Sequence, residues 1–360
     1  MKILVVDDSI VFRTSITQAL NEVERYSVFK TCSNGKIALD FLKQNPDTEL
    51  ITLDMEMPVM DGLETIKEIR KFNTKVLIVV FSSFTKSGAE KTIDALAAGA
   101  NDFVTKIEGK GTIEDSLEAI KLELVPKIEA LKTKQDLKNG VKASVKTPIK
   151  SEPMSTGIPI TNIDGIVSKM SIKPKLIAIG CSTGGPDALK KIFDNIDFKI
   201  SVPVVIVQHM PPMFTQKLAE LLNKNEHNTI VEAKDGDTLE SGKCLIAPGD
   251  YHMTVTKDNC IKLNQDEKVC FVRPSVDVLF ESINKNFSSQ VLTIILTGMG
   301  EDGARGVVSL NKNGSYNFIQ DQESSVVWGM PGAVSRMEPN HTVIDIKDFS
   351  TLIKKVSERI

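Results

Sequence analysis

A serine in a glycine-rich turn is the first residue of this chain with evident chemistry. Lys175 to Ile179 reads as a strand that runs into Gly180-Cys-Ser-Thr-Gly-Gly185. Pro186-Asp-Ala-Leu-Lys follows as a helix start with proline in its first turn. Gly180 to Gly184 is thus G-x-S-x-G in the strand–turn–helix setting that lifts a serine nucleophile, Ser182, above a sheet edge. The same turn could instead only cradle a phosphate or close a tight bend. A serine nucleophile needs a base and an acid that orients the base. Of the four histidines, His227 lies in the polar stretch Asn223-Lys-Asn-Glu-His-Asn, His341 follows Glu338-Pro-Asn as a loop residue, and His252 opens a strand. His209 ends the apolar run Val202 to Val207 and precedes Met210-Pro-Pro, which places it at the sheet edge that carries Ser182. The run Val291 to Leu296 ends in Thr297-Gly-Met-Gly-Glu-Asp302-Gly, so Asp302 reaches that edge too. The chain order Ser, His, Asp differs from the Ser, Asp, His order of α/β-hydrolases, so that fold is not implied. Gly298 to Gly303 is also G-x-G-x-x-G, with Asp321 eighteen residues further on, near the dinucleotide-binding spacing. Only 57 residues follow Gly303, too few to complete half of such a unit comfortably.

A second group gathers near the N-terminus. Asp7 and Asp8 follow one β-rich run, Asp54 another, Ser82 and Ser83 a third, and Lys106 a fourth. Carboxylates crowded at one sheet edge repel each other unless a cation lies among them, and an oxygen-only set with room for waters suits Mg²⁺. Taken singly, Asp8 and Ser9 could cap a helix, Asp54 could cap a turn, and Lys106 could be a solvated side chain. Their joint placing at the ends of successive strands argues for a site.

The elements that must position these residues follow from periodicity. β-rich runs at Lys2 to Val6, Tyr26 to Thr31, Leu50 to Leu53, Lys75 to Phe81 and Asp102 to Thr105 alternate with helical patterns such as Phe12, Ile16, Leu20, Val23 and Leu63, Ile66, Ile69, Phe72. Alternation of this kind predicts βαβ units, a parallel sheet with helices on both faces, and ligands at the carboxyl ends of the strands. The fold class is α/β throughout: a five-stranded parallel sheet over residues 1–123, and a doubly wound α/β segment with a mostly parallel sheet over 173–360. Between them, Ile113, Leu117, Ile120 and Leu124 keep helical spacing until Pro126 interrupts it, and Ile128 and Leu131 are expected to continue the helix only briefly. From Thr133 to Lys173 there are seven Lys against three acidic residues and no aromatic, a stretch unable to bury much apolar surface. A linker is expected over 124–172.

Composition excludes several classes. The chain has 360 residues, 41% hydrophobic and 25% charged, with a formal charge of −3, so no basic field favours nucleic acid. Neither does any basic recognition helix favour a DNA-binding output. Five widely spaced cysteines without a C-x-x-C pair read as a reducing compartment, not as a disulfide scaffold or zinc site. No apolar run approaches a membrane span, and Asp7 and Asp8 fall where a signal peptide needs its apolar stretch. A cytoplasmic location is expected.

Two resemblances add to this reading. Asp54-Met-Glu-Met-Pro-Val-Met-Asp-Gly-Leu63, with Asp7-Asp8 upstream and Lys106 downstream, resembles the receiver domain of two-component response regulators. That implies a flavodoxin-like fold in which Asp54 takes a phosphoryl group from a histidine kinase. It further implies Mg²⁺ held by Asp8, Asp54 and the Glu56 carbonyl with Asp7 acting through water, while Ser82 and Lys106 answer the phosphoryl oxygens. Receivers usually place proline after this lysine; here Ile107 follows. In the second segment, Ile179-Gly-Cys-Ser-Thr-Gly-Gly, Gln208-His-Met-Pro211, Ile246-Ala-Pro-Gly, Arg273-Pro-Ser-Val-Asp277, Leu296-Thr-Gly-Met-Gly-Glu-Asp-Gly303 and Ser325-Val-Val-Trp-Gly-Met-Pro331 resemble the protein-glutamate methylesterase domain. The whole chain apart from the linker is similar to the chemotaxis methylesterases of the CheB family. The resemblance implies hydrolysis of glutamate γ-methyl esters on chemoreceptors, with Ser182 as nucleophile, His209 as base, Asp302 as orienting acid and backbone donors at Thr183 and Met299. It implies glutamine deamidation by the same acyl chemistry, no cofactor for the esterase step, a monomer, and no insertion into membrane. A non-catalytic signalling adaptor is the competing reading. Family members commonly have Ala or Gly at Cys181, Tyr at Trp328 and Glu at Gln322; the Cys181 thiol is expected to be buried and inert.

Overall fold

The computed structural model describes residues 1–106, 113–138, 162–224, 226–287 and 291–359. They form two compact units, Met1–Ala143 and Ser144–Ile360. In the first, strands β1 (Lys2–Val6), β2 (Ser27–Cys32), β3 (Leu50–Asp54), β4 (Leu77–Ser82) and β5 (Asp102–Thr105) alternate with helices α1 (Ile10–Asn21), α2 (Gly35–Gln44), α3 (Gly62–Phe72), α4 (Lys86–Ala97) and α5 (Ile113–Lys138). The sheet is parallel in the order β2-β1-β3-β4-β5. β3 and β4 are buried along their whole length, as strands covered on both faces must be. Ser9, Asn34, Asp61 and Thr85 cap α1 to α4, each accepting a backbone N–H of the first turn. Ser9 therefore caps α1 and leaves Asp8 out of that role.

Of the linker expected over 124–172, the first part is helix. α5 runs on through Pro126 to Lys138 with Leu124, Ile128 and Leu131 buried. The apolar spacing Leu117, Ile120, Leu124, Ile128, Leu131 continues past the proline, and packing of that stripe outweighs the one backbone hydrogen bond a proline removes. Ile107 and residues 139–161 lie outside the described residues.

The second unit opens with α6 (Ile163–Lys169), whose Val167 carbonyl accepts a hydrogen bond from Arg359. It continues with β6 (Leu176–Cys181), α7 (Gly185–Phe193), β7 (Val204–Gln208), α8 (Phe214–Leu222), β8 (Thr229–Glu232), β9 (Lys243–Ile246), β10 (His252–Val255), β11 (Ile261–Asn264) and α9 (Val276–Phe287). β12 (Val291–Ile295), α10 (Ala304–Lys312), β13 (Tyr316–Gln320), α11 (Gly329–Met337), β14 (Thr342–Ile344) and α12 (Phe349–Glu358) complete it. Seven strands pair in the order β14-β13-β12-β6-β7-β9-β8, every pair parallel; β10 and β11 form a separate antiparallel hairpin. The chain builds outward from β6 through β7 on one side and returns to β12 on the other, so the strand order reverses beside β6. Crevices at such reversals are where α/β sheets bind ligands. Register aligns the three relevant strands, with Ile295 beside Gly180 and Cys181 beside Gln208. The segments carrying Ser182, His209 and Asp302 thus leave the sheet at one edge.

Candidate active site

β6 is buried over all six residues and delivers Ser182 at its end. The Ser182 N–H donates to the Thr297 carbonyl at 3.0 Å, fastening the turn to the segment after β12. Gly184 makes the turn possible: its φ is +77°, and a Cβ there would lie 2.5 Å from Val326 side-chain atoms. Gly298 does the same from the facing loop, where a Cβ would come within 2.9 Å of the Ser182 Cβ. Gly298 thus serves close approach to the serine turn, Gly303 (φ +92°) lies against Val276 and Ile295, and Asp321 is engaged with the backbone N–H and hydroxyl of Ser324. The dinucleotide spacing is coincidental.

His209 is held by its N–H to the Cys181 carbonyl at 3.1 Å. Its Nε2 lies 2.8 Å from Asp302 Oδ2. Gln208 ties the two neighbouring segments together, its Nε2 donating to the carbonyls of Ser182 at 3.0 Å and His209 at 3.1 Å. The Ser182 hydroxyl makes no hydrogen bond among the described residues, and hydrogen bonds of a nucleophile commonly close only in the substrate complex. The N–H groups of Thr183 and Met299 likewise have no hydrogen-bond partner among the described residues. Cys181, beside Ser182, is fully buried, and burial pushes its thiol well above the usual range.

Asp302 meets the start of α9. Its Oδ1 accepts from the Ser275 hydroxyl at 2.8 Å and the Asp277 N–H at 3.0 Å, and its Oδ2 accepts from the Val276 N–H at 2.6 Å as well as facing His209. Burial alone would raise this carboxyl; His209 and the α9 N–H groups outweigh burial and hold it below its ordinary value of 3.8. Ser275 is in turn fixed by His252, whose Nδ1 accepts the Ser275 N–H at 3.2 Å while Nε2 faces the Glu267 carbonyl at 3.0 Å. A carbonyl needs a donor, so Nε2 carries the proton. Sequence reasoning quoted Arg273 to Asp277 only as part of a resemblance and gave Ser275, Val276 and Gln208 no role. A serine just before a helix is a capping signal, but nothing in the sequence says whose carboxylate it meets.

The first unit brings its own group together. Carboxylate oxygens of Asp7, Asp8 and Asp54 all lie within 4.8 Å of one another. Lys106 Nζ is 2.7 Å from Asp54 Oδ2 and 3.0 Å from Asp7 Oδ2. The contact with Asp7 lacks hydrogen-bond alignment, so that buried oxygen has no hydrogen-bond partner. Burial pushes Asp54 up to about 6, with Asp7 adding to the rise and Lys106 opposing it. Burial alone would lower Lys106; Asp54 and Asp7 hold it above its ordinary value. The Glu56 N–H donates to Asp54 Oδ1 at 3.3 Å, while the Glu56 carboxylate is turned to Lys91 at 2.8 Å. Ser82 is fully buried with its hydroxyl on the Gly88 carbonyl at 3.0 Å; Ser83 is half-buried and pairs with Thr85 at 3.2 Å. Three carboxylates with their oxygens converging form an oxygen-only set that fits a hard divalent cation.

Comparison with known proteins agrees with both halves. A response regulator receiver domain model matches residues 3–118, and a CheB methylesterase model matches 177–353. The chain is 41% identical to the protein-glutamate methylesterase/protein-glutamine glutaminase of Trichodesmium erythraeum, covering 93% of this chain and 92% of that protein. It is 39% identical to the protein of the same name from Sulfurimonas denitrificans, covering 99% of each. The crystal structure of the Thermotoga maritima CheB methylesterase catalytic domain aligns with a TM-score of 0.48 at 35% identity, covering 51% of this chain and 99% of that one. A receiver domain and a methylesterase domain, matched together over nearly full-length relatives, place this chain in the protein-glutamate methylesterase/protein-glutamine glutaminase family.

Proposed function

We propose that the chain is a phosphorylation-controlled protein-glutamate methylesterase acting on chemoreceptors, with protein-glutamine deamidation as a second use of the same chemistry. The observation that carries the reading is the His209–Asp302 pair at the edge where β6 delivers Ser182. With Nε2 engaged by Asp302, the other ring nitrogen, Nδ1, takes the proton from the Ser182 hydroxyl as Oγ attacks the γ-carbonyl of a methylated glutamate. The N–H groups of Thr183 and Met299 receive the oxyanion. His209 returns the proton to the methoxy oxygen, methanol leaves, and the acyl ester on Ser182 remains. Water, deprotonated by His209, attacks that ester; Ser182 recovers its proton and glutamate is released. A glutamine substrate follows the same course with ammonia as leaving group. Asp302 keeps the imidazole in position and stabilises its charged form.

Control is assigned to the first unit. Asp54 is the phosphoryl acceptor, a chemotaxis histidine kinase the donor, and Asp8, Asp54 and the Glu56 carbonyl would hold Mg²⁺, with Asp7 acting through water. When bound, Mg²⁺ neutralises charge on the transferring phosphoryl group. Lys106 pairs with the phosphoryl oxygens, and the Ser82 hydroxyl at the end of β4 answers them. The receiver segment, expected over 1–123, takes in the rest of α5 as well, and the catalytic segment extends over 173–360. Among the described residues no helix is long and apolar enough to cross a membrane, and we assign a monomer acting in the cytoplasm.

The test is methanol release from a methylated chemoreceptor. The wild-type chain releases methanol, Ser182→Ala does not, and a small phosphodonor with Mg²⁺ raises the wild-type rate while leaving that of Asp54→Asn unchanged. An adaptor would release no methanol in any of these mixtures.

A further inference from the structure

Cys270 and Phe271 sit at φ of +50° and +64° between Val269 and Val272, which exchange two backbone hydrogen bonds of 3.2 and 3.0 Å. This is a two-residue hairpin turn of the type that strongly prefers Asn-Gly, because both central residues take left-handed backbone. The chain places a thiol and a phenyl ring there instead. The base of the turn is firmly anchored. Arg273 pairs with Asp250 Oδ1 at 2.6 Å and donates to the carbonyls of Gln265 and Asp266, each at 2.8 Å. Cys270 faces inward: its Sγ accepts from Arg305 at 3.4 Å and lies within 4.8 Å of the carboxylates of Asp277 and Asp302. Phe271 consequently faces outward and is 96% exposed. Tyr251, next in sequence to the Asp250 that Arg273 pairs with, and Met299, three residues before Asp302, are exposed too.

A single exposed apolar residue is ordinary on a protein surface. Here it coincides with a backbone that disfavours any side chain, next to the acid of the catalytic site, where glycine would relieve both penalties. Strain of this kind persists where function holds it. Resting on the esterase reading above, we infer that Phe271 is a specificity-determining residue that binds an apolar side chain of the protein substrate beside the modified glutamate. A methyl ester alone offers few atoms to recognise, so selection among glutamates must come from the rim.

The test compares full-length wild type, Phe271→Ala and Phe271→Gly on two substrates: a methylated chemoreceptor and N-acetylglutamate γ-methyl ester amide. On the receptor, both variants raise KM about tenfold with kcat little changed, the size expected for losing burial of a phenyl ring. On the small ester both match wild type. Phe271→Gly also melts about 2–4 °C higher in the catalytic unit as the left-handed position is relieved. Wild-type KM on the receptor in Phe271→Ala, or equal losses on both substrates, overturns the inference. A wild-type chain that releases no methanol removes the esterase reading and this inference with it.

Discussion

Asp302 is pulled two ways, by burial that favours its neutral form and by donors that favour its charge. The donors prevail and its carboxyl is held below 3.8. A carboxyl lowered in the folded state contributes stability at pH above its unfolded value, and loses that contribution as pH falls through the folded value. Asp302→Asn should therefore unfold more easily than wild type at pH 7, by about 1–3 kcal/mol, the cost of disturbing a buried, bonded charge. The gap should close as the pH is taken below 3.8. Denaturant unfolding at a series of pH values measures this, and a gap independent of pH would show that the charge contributes nothing. The same variant should lose about 10⁴-fold in kcat, because an amide no longer holds the imidazole in the working tautomer.

At the scale of elements, most of the site was legible because strand ends are legible. β-rich runs can be read from the sequence, and in a parallel sheet their carboxyl ends must carry the ligand-binding residues. Ser182, His209 and Asp302 follow β6, β7 and the segment after β12, as expected from that rule alone. The role of α9 was not legible, since Ser275 lies 27 residues before Asp302 and only the fold brings a helix start to that carboxylate. Nor was the full extent of α5: Ile128 and Leu131 read as a brief continuation past Pro126, whereas the helix runs on to Lys138 because burial of that stripe is a tertiary effect. The α9 contact has its own consequence. Ser275→Ala removes one of Asp302's donors and unsettles the acid without touching substrate. We expect kcat on the small ester to fall about tenfold, corresponding to one hydrogen bond to a charged group, with KM unchanged. Ser275→Thr, which keeps the hydroxyl, should recover most of the loss; equal losses in both variants would point to general damage at α9.

For the whole molecule the issue is where one unit stops. The interruption at Pro126 and the lysine-rich stretch from Thr133 led to a linker from residue 124, yet Leu124, Ile128 and Leu131 are buried, and Lys127 donates to the Phe103 carbonyl of β5 at 2.5 Å. The helical stripe therefore belongs to the unit that contains Asp54, and its packing should be felt there. Ile128 is fully buried, so Ile128→Ala should destabilise that unit by about 2–5 kcal/mol through lost burial and the cavity left behind. Calorimetry of the full chain should show the transition that responds to Mg²⁺ and phosphodonor moving down, while the transition tracking methanol release stays in place. Were residues from 124 onward merely a tether, neither transition would move, because trimming a side chain in a solvated segment changes stability by no more than about 0.5 kcal/mol.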